Sequence, residues 1–201
     1  MLHTDCVPVA VLRMLEQLGE DPAMSGFFLA GGTSLALRFG HRVSVDLDFF
    51  TADEFDSGQL ADALTPLGGR VVNRAANSLT LELEGVKVDV LRHAYPALGP
   101  VEKMGGVRLA SVRDVAAMKL NAIVGRGAKK DFYDVVRLLE EFELATLLGF
   151  FEEKYPTTER FVVLKSLGWF EDADGEPAVE STQGLSWDEV KGRLTTALAG
   201  V

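Results

Sequence analysis

A short apolar run, residues 27–30, ends in the glycine pair Gly31-Gly32. A run of this length that is bounded by glycine predicts a buried strand leading into a tight turn. Thr33 or Ser34 is expected to cap the helix that follows, and Gly40 is expected to end it. This arrangement directs backbone N–H groups and the positive end of a helix dipole at the turn, where a phosphate group binds well. Alternatively, the glycine pair serves only the turn itself.

The next segment, residues 43–50, alternates between apolar and polar side chains. The alternation predicts a strand with Leu47 and Phe49 on one face and Asp46 and Asp48 on the other. Two carboxylates on one strand face repel each other unless they are well solvated, protonated or bridged by a cation. Mg²⁺ prefers such oxygen ligands, and two ions about 3.5–4 Å apart can promote phosphoryl or nucleotidyl transfer. Asp-x-Asp alone does not decide between these readings, but a phosphate-binding turn just before it favours a metal site.

The rest of the chain is predicted to contain further strands followed by helices. Three antiparallel strands are expected over residues 70–75, 79–84 and 86–92. Helices are expected over residues 8–19, 59–67, 111–124, 129–142, 144–154, 158–170 and 187–198, with an exposed acidic loop over 171–183. The predicted fold class is α+β, a small mixed β-sheet flanked by helices. Residues 1–142 would form the core and residues 143–201 a helical C-terminal extension packed on it.

Composition and charge limit the possible function classes. No apolar run approaches the roughly 20 residues that span a bilayer, no basic leader precedes the first helix, and Cys6 is the single cysteine. We therefore expect a cytoplasmic protein that does not contact membranes. The net charge of −10 excludes a broadly basic nucleic-acid coat. Segment 103–137, however, carries eight basic against three acidic side chains, which suits a polyanionic ligand or else a solvated helical face.

Two later motifs also carry charge at specific positions, Lys119 within Ala117–Ala122 and Asp131 within Lys130–Asp134. Asp131 is predicted at the edge of the apolar stripe of its helix, where a partly desolvated carboxylate needs a cationic partner. Lys119 is the obvious candidate, either paired with Asp131 or neutralising phosphate charge. Alternatively, Asp131 complements the N-terminus of its helix.

Taken in order, these motifs resemble the signature of the AbiEii/AbiGii-type nucleotidyltransferase toxins of the DNA polymerase β-like nucleotidyltransferase superfamily. Segments 28–37 and 42–50 resemble the family's glycine turn and its Asp-hydrophobic-Asp pattern. Residues 117–122 resemble its Lys-Leu-x-Ala motif, and residues 130–134 its Asp-x-x-Asp motif. The resemblance implies a nucleotidyltransferase core with Mg²⁺ or Mn²⁺ as the cofactor and an NTP as the substrate.

The resemblance also implies roles for individual residues. The residues it implies for catalysis are Asp46, Asp48, Lys119 and Asp131. Those implied for nucleotide binding are Gly31, Gly32, Thr33, Ser34, Lys119 and Asp134. The implied metal ligands are Asp46, Asp48 and, by comparison with the wider superfamily, Asp89. An exposed strand aspartate would explain Asp89 equally well.

The resulting hypothesis is a metal-dependent enzyme that transfers NMP from an NTP to an acceptor hydroxyl. The resemblance makes RNA the expected acceptor, in particular the tRNA 3′ end, with segment 103–137 as its contact surface and a cognate antitoxin as a partner. One alternative keeps the chemistry but uses an antibiotic-like small molecule or a protein side chain, which the acidic segment 171–180 would favour if it lay over the site. Another is a non-catalytic nucleotide-binding module. Trp169 and Trp187 are interpreted as packing residues, and no role is assigned to Arg42 or to the three histidines.

Overall fold

The computed structural model describes residues 2–201 and places a helix before the first strand and most of the helices after the last. The strands are β1 (Phe28–Leu29), β2 (Leu47–Thr51), β3 (Gly69–Ala75), β4 (Ser78–Leu83), β5 (Val86–Arg92), β6 (Glu102–Met104) and β7 (Val107–Leu109). The helices are α1 (Val9–Glu20), α2 (Gly31–Phe39), α3 (Ser57–Leu64), α4 (Val112–Gly125), α5 (Lys129–Leu138), α6 (Leu144–Lys154), α7 (Arg160–Leu167), α8 (Glu171–Asp174) and α9 (Trp187–Leu198).

The strands form one mixed seven-stranded sheet in the order β3-β4-β5-β2-β1-β7-β6. β2 runs parallel to β5 and β1 runs parallel to β7, while the other neighbours are antiparallel. In this register Asp48 of β2 pairs with Asp89 of β5. The sheet topology therefore brings together two carboxylates that lie about forty residues apart in the sequence.

Two hydrophobic clusters hold helices against this sheet. Leu47 and Phe49 of β2 join α1, α3 and the β4–β5 strands in the first cluster. The second cluster gathers α4, α5, α6, α7 and α9. Helix α2 belongs to both, because Leu37 packs in the first cluster and Leu35 in the second. The start of α2 is thus fixed between the two halves of the core.

Most of the predicted elements are confirmed, including the α+β class with a mixed sheet flanked by helices. The strands expected over 70–75, 79–84 and 86–92 are β3, β4 and β5, and α6 and α9 have the predicted bounds. Helix α4 begins as expected, because the Ser111 hydroxyl accepts a hydrogen bond from the Asp114 N–H at 3.1 Å.

Two predictions near the glycine turn are wrong. Helix α2 begins at Gly31 with Ala30 at its N-cap, so neither Thr33 nor Ser34 caps it. β2 begins at Leu47, and residues 43–46 are irregular because their backbone bonds outside the sheet, as when the Ser44 N–H donates to the Cys6 carbonyl. Asp46 consequently lies just before the strand, and strand alternation does not explain its direction.

Two other segments differ from expectation. The β6–β7 hairpin was not predicted, since its strands have three residues each and Gly105-Gly106 turns at positive φ between them. The segment expected as an exposed loop over 171–183 contains α8 and bridges to the sheet side through an Arg42–Ser181 pair. Because Arg42 and Ser181 are far apart in the sequence, no local periodicity could predict that they pair.

Candidate active site

The start of α2 is pressed against the side chain of Asp48. Gly31 has φ +64°, and a Cβ placed on it would lie 2.2 Å from Asp48 Oδ2. A Cβ on Gly32 would likewise lie 2.1 Å from the Arg42 guanidinium. A side chain at Gly31 or Gly32 would therefore have to displace Asp48 or Arg42, and the N–H groups at the start of α2, which have no partner within the helix, lie beside a carboxylate.

Thr33 and Ser34, expected to bind the nucleotide, are fully buried. The Thr33 hydroxyl lies 2.8 Å from the Ser44 hydroxyl and also donates to the Asp46 carbonyl. The Ser34 hydroxyl donates to the Gly31 carbonyl at 2.9 Å. The Thr33 hydroxyl thus ties α2 to the segment before β2, while the Ser34 hydroxyl bonds within the first turn of α2. The Ser34 N–H donates to the Ala30 carbonyl at 3.4 Å, so the N–H groups that remain for a phosphate are those of the three residues before it.

The three predicted metal ligands lie near one another but have different surroundings. Burial raises the pKa of Asp48, and the negative charges of Asp89 and Asp46 act in the same direction against the opposing charge of Lys119. Asp46 keeps 28% of its side chain exposed and lies 3.1 Å from Lys130 Nζ. Repulsion among these carboxylates is what a bound cation would relieve.

Asp89 differs from the other two predicted ligands because both of its carboxylate oxygens already have a side-chain partner. Its Oδ1 accepts a 2.6 Å hydrogen bond from the Thr80 hydroxyl, and its Oδ2 lies 2.8 Å from Lys87 Nζ. Within residues 2–201, no three His, Cys, Asp or Glu side chains converge as a ready-made metal site. Mg²⁺ is commonly held by one or two carboxylates together with water and substrate phosphates. Asp46 and Asp48 are donors of this kind, so they fit Mg²⁺ or Mn²⁺ that enters with a triphosphate.

Behind the carboxylates, Lys119 of α4 is paired with two aspartates of α5. Lys119 Nζ lies 2.8 Å from Asp131 Oδ1 and 2.6 Å from Asp134 Oδ2, and both carboxylates are fully buried. Burial opposes the charge on Lys119, but Asp134 and Asp131 outweigh it and raise its pKa. Of the two roles expected for Lys119, pairing with Asp131 or neutralising phosphate charge, the structure shows the pairing.

Arg42 and His41 complete this network at Asp134. Arg42 Nε and His41 Nε2 each lie 2.7 Å from Asp134 Oδ1. Burial disfavours the ionised carboxylate, but Arg42 and Lys119 hold the pKa of Asp134 well below its usual range. Asp134 is therefore ionised and enclosed, a placement that suits a residue positioning the site rather than one touching the nucleotide.

Arg126 is the second partner of Asp131 and faces solvent. Its Nε lies 2.8 Å from Asp131 Oδ2, while 58% of its side chain is exposed. The sequence assigned no role to Arg42 and His41, and it included Arg126 only as one of the basic residues of segment 103–137. The one signal in the sequence was that Arg42 lies close before the Asp-x-Asp segment. Its ion pair with Asp134 could not be predicted, because the two residues are 92 positions apart.

A cleft of about 390 Å³ opens at these residues. Gly31, Asp48, Asp89, Lys119 and Arg126 line it together with a set of apolar and aromatic side chains: Phe50, Leu91, His93, Met118 and Tyr155. A surface that combines charge with flat apolar walls suits a nucleoside triphosphate. A larger groove of about 890 Å³ between α5 and α9 contains none of the predicted site residues.

His93 contributes a neutral wall to this cleft. Burial and the nearby Lys154 charge lower the pKa of His93 to about 4. Its Nε2 lies 3.1 Å from the Tyr155 hydroxyl, and the two rings pack edge to face. An uncharged imidazole beside a phenol can form hydrogen bonds without adding charge to the cleft.

The basic residues of segment 103–137 do not all lie on one exposed face, so only part of the segment can contact a polyanionic ligand. Lys119 and Lys129 are buried, and Lys129 Nζ donates to the Glu176 carbonyl at 2.5 Å. Arg113 and Arg137 are paired with glutamates. Most of the positive charge in this segment is thus used inside the protein or neutralised at its surface.

Among residues 2–201, no helix combines the length and the apolar character needed to cross a bilayer. The exposed basic residues Arg126 and Lys130 lie close to the carboxylates of the site, because Arg126 is paired with Asp131 and Lys130 with Asp46.

Comparison with known proteins identifies the family. The model of a family described as "Nucleotidyl transferase AbiEii toxin, Type IV TA system" matches residues 13–198. The chain is also 38% identical over 184 residues to an uncharacterized protein of Aquifex aeolicus (strain VF5), a match that covers 88% of both chains.

Solved structures share the fold. MenT4, a nucleotidyltransferase toxin from Mycobacterium tuberculosis H37Rv, has a TM-score of 0.62 at 14% identity, covering 94% of this chain and 82% of that one. JHP933 from Helicobacter pylori has a TM-score of 0.56 at 16% identity, covering 99% and 92%. The antibiotic-resistance factor ANT(2'')-Ia has a TM-score of 0.54 at 16% identity, covering 70% and 87%. Because the family match takes in nearly the whole chain, the protein belongs to the AbiEii family of nucleotidyltransferase toxins and is a nucleotidyltransferase.

Proposed function

We propose that the protein transfers NMP from an NTP to a hydroxyl of an RNA acceptor, in particular a tRNA 3′ end, and that it does so with Mg²⁺ or Mn²⁺. In this reaction the hydroxyl oxygen attacks the α-phosphorus, the bond to pyrophosphate breaks and the hydroxyl proton passes to solvent. The observation that carries the proposal is the contact between the first turn of α2 and Asp48, which puts phosphate-binding N–H groups beside metal-binding oxygens.

In this proposal the start of α2 binds the phosphates and the nearby carboxylates bind the cation. The N–H groups of Gly31, Gly32 and Thr33 donate to phosphate oxygens, and Asp46 and Asp48 supply cation ligands. Asp89 contributes charge beside Asp48 from the neighbouring strand. When bound, a divalent cation would stabilise the charge that develops on the attacking and leaving oxygens.

Lys119, Asp131 and Asp134 act behind this surface. Their ion pairs join α4 to α5, and Asp134 also pairs with the segment between α2 and β2. Arg126 remains as the exposed cation next to Asp131. We expect Arg126 and Lys130 to offset phosphate charge, the role that the sequence left open for Lys119.

An RNA acceptor is supported by membership of a toxin family, in which a cognate antitoxin is also an expected partner and the cytoplasm the expected compartment. The small-molecule alternative depended on the acidic segment 171–180 lying over the site. No residue of that segment lines the cleft. Its Glu176 instead accepts hydrogen bonds from Lys129. No observation therefore favours a small cationic acceptor.

The test is to incubate the protein with each labelled NTP in turn, total RNA and Mg²⁺ or Mn²⁺. We expect label on RNA, reduced at least about 100-fold in Asp46→Asn/Asp48→Asn, because removing ligands of charge-stabilising cations costs several kcal/mol. Asp62→Asn is the matched control, since Asp62 is an exposed carboxylate on α3. Periodate oxidation destroys the 3′-terminal diol of RNA and should abolish labelling. Absence of transfer from every NTP, or full labelling of oxidised RNA, would contradict the proposal.

A further inference from the structure

A second groove, of about 530 Å³, opens beside the cleft. The end of α4 and its following turn form one side, and α7 with Trp169 forms the other. Gly125 and Arg126 line both the groove and the cleft, so the two adjoin at the end of α4. A ligand bound in the groove would therefore lie next to the cleft at Arg126.

The groove carries two exposed aromatic rings. Phe161 is 70% exposed and Trp169 is 49% exposed, so the interpretation of Trp169 as a packing residue is wrong. Trp187, by contrast, packs edge to face on Phe132 at 5.6 Å between ring centroids. Large apolar side chains that share one exposed groove are typical of a binding surface.

Positive charge accompanies these rings. Lys165 is exposed and lies one helical turn after Phe161 on α7, and the guanidinium of Arg126 lies across the groove. Asp172 is the acidic residue that also lines the groove. Aromatic faces next to a few cations are the usual composition of a site for single-stranded nucleic acid, whose bases stack and whose phosphates need counter-charges.

We propose that this aromatic groove (Arg126, Phe161, Lys165 and Trp169) holds the unpaired 3′ end of the RNA acceptor. One or two bases stack on Phe161 and Trp169, and their phosphates lie near Lys165 and Arg126. The inference rests on the proposed function and specifies the acceptor as a single-stranded end bound with little sequence preference. Stacking also explains how a chain of net charge −10 can bind RNA, because it does not depend on a broad basic surface.

The kinetic test compares Phe161→Ala, Trp169→Ala and the double variant with Val9→Ala. Val9 is 70% exposed on α1, outside the groove, so it controls for the loss of an exposed apolar side chain. Each groove variant should raise KM for an RNA with a single-stranded 3′ end by about 10-fold, since a stacked base contributes about 1–3 kcal/mol. KM for the NTP should remain within about twofold of the wild type, because the cleft itself is unchanged.

A binding test needs no catalysis. Trp187→Phe leaves Trp169 as the single tryptophan, and an RNA with an unpaired 3′ end should quench its fluorescence while a blunt duplex should not. If Trp187→Phe does not fold, the difference in quenching between the wild type and Trp169→Phe gives the same information.

Three outcomes would overturn the inference: an unchanged KM for RNA in the double variant, no quenching by single-stranded RNA, or a dimer that the double variant dissociates without any change in KM. The last would identify the groove as a surface for a second copy. If the wild type transfers NMP to nothing, the proposed function fails, and the quenching result still decides whether the groove binds RNA.

Discussion

Gly31 decides how closely the first turn of α2 approaches the Asp48 carboxylate. Its φ of +64° is rarely adopted by other residues, and the space where a Cβ would sit is occupied by Asp48 Oδ2. A phosphate held by these N–H groups is therefore forced to lie beside Asp48. One hydrogen atom in place of a side chain sets the geometry on which the proposed transfer depends.

Replacing Gly31 with alanine should abolish this geometry. We expect Gly31→Ala to lower the rate of NMP transfer by at least about 10-fold, because the new Cβ displaces the Asp48 side chain, and to cost about 1–2 kcal/mol in stability through the positive φ. Gly106→Ala is the matched control, since Gly106 has φ +84° but no atom within 4 Å of the position that its Cβ would take. Transfer rates and urea unfolding of both variants test the expectation, and equal activities would contradict it.

At the same scale, the sequence predicted pairs that lie on neighbouring motifs and missed those that the fold creates. The Lys119–Asp131 pair was expected because each residue follows from the pattern of its own helix. Arg42 and His41 could not be found in this way, because their partner Asp134 is joined to them only when α5 packs beside the turn after α2.

At the scale of elements, a buried charge network fixes α4 and α5 to the segment between α2 and β2. Lys119, Asp131 and Asp134 are each at most 5% exposed in their side chains. An ion pair enclosed to this degree is costly to break, since the remaining charge stays in a poorly solvated place. Arg126 belongs to the same network but keeps most of its side chain in solvent.

This difference predicts unequal effects of two similar substitutions. Lys119→Met should lower the free energy of unfolding by about 3–5 kcal/mol, because it leaves Asp131 and Asp134 with less compensation for burial. Arg126→Met should lower it by less, about 1 kcal/mol, because the exposed guanidinium is solvated and the buried Asp131 keeps Lys119 as its partner. Urea unfolding at neutral pH measures both. Equal losses would mean that the network does not depend on burial as we describe.

The elements themselves were predictable where their pattern is long and local. Helices α4, α6 and α9 show clear periodicity or caps, whereas β6 and β7 are too short to show any. β2 was expected to begin at residue 43, since the alternation continues upstream. Backbone hydrogen bonds from Val43 to Glu180 and from Ser44 to Cys6 remove those residues from the sheet, and both partners are distant in sequence.

At the scale of the whole molecule, the second hydrophobic cluster crosses the boundary that the sequence suggested at residue 142. Leu35 of α2 and Leu120 of α4 belong to the same cluster as Leu147 of α6, Val163 of α7 and Val190 of α9. Residues 143–201 thus share their core with the helices that carry Lys119 and Asp131. We propose that this extension folds only together with the catalytic part, because its apolar faces have no separate core of their own.

Cooperative unfolding follows from this shared core. Both tryptophans, Trp169 and Trp187, lie within residues 143–201, so tryptophan fluorescence reports on the extension while far-UV circular dichroism reports on the whole chain. We expect one urea transition with the same midpoint by both methods, as for a two-state domain. Val163→Ala, which removes apolar contacts from the buried face of α7, should shift both midpoints together to lower urea, by about 1–3 kcal/mol in stability. An earlier fluorescence transition, or a shift in fluorescence alone, would show that the extension unfolds independently.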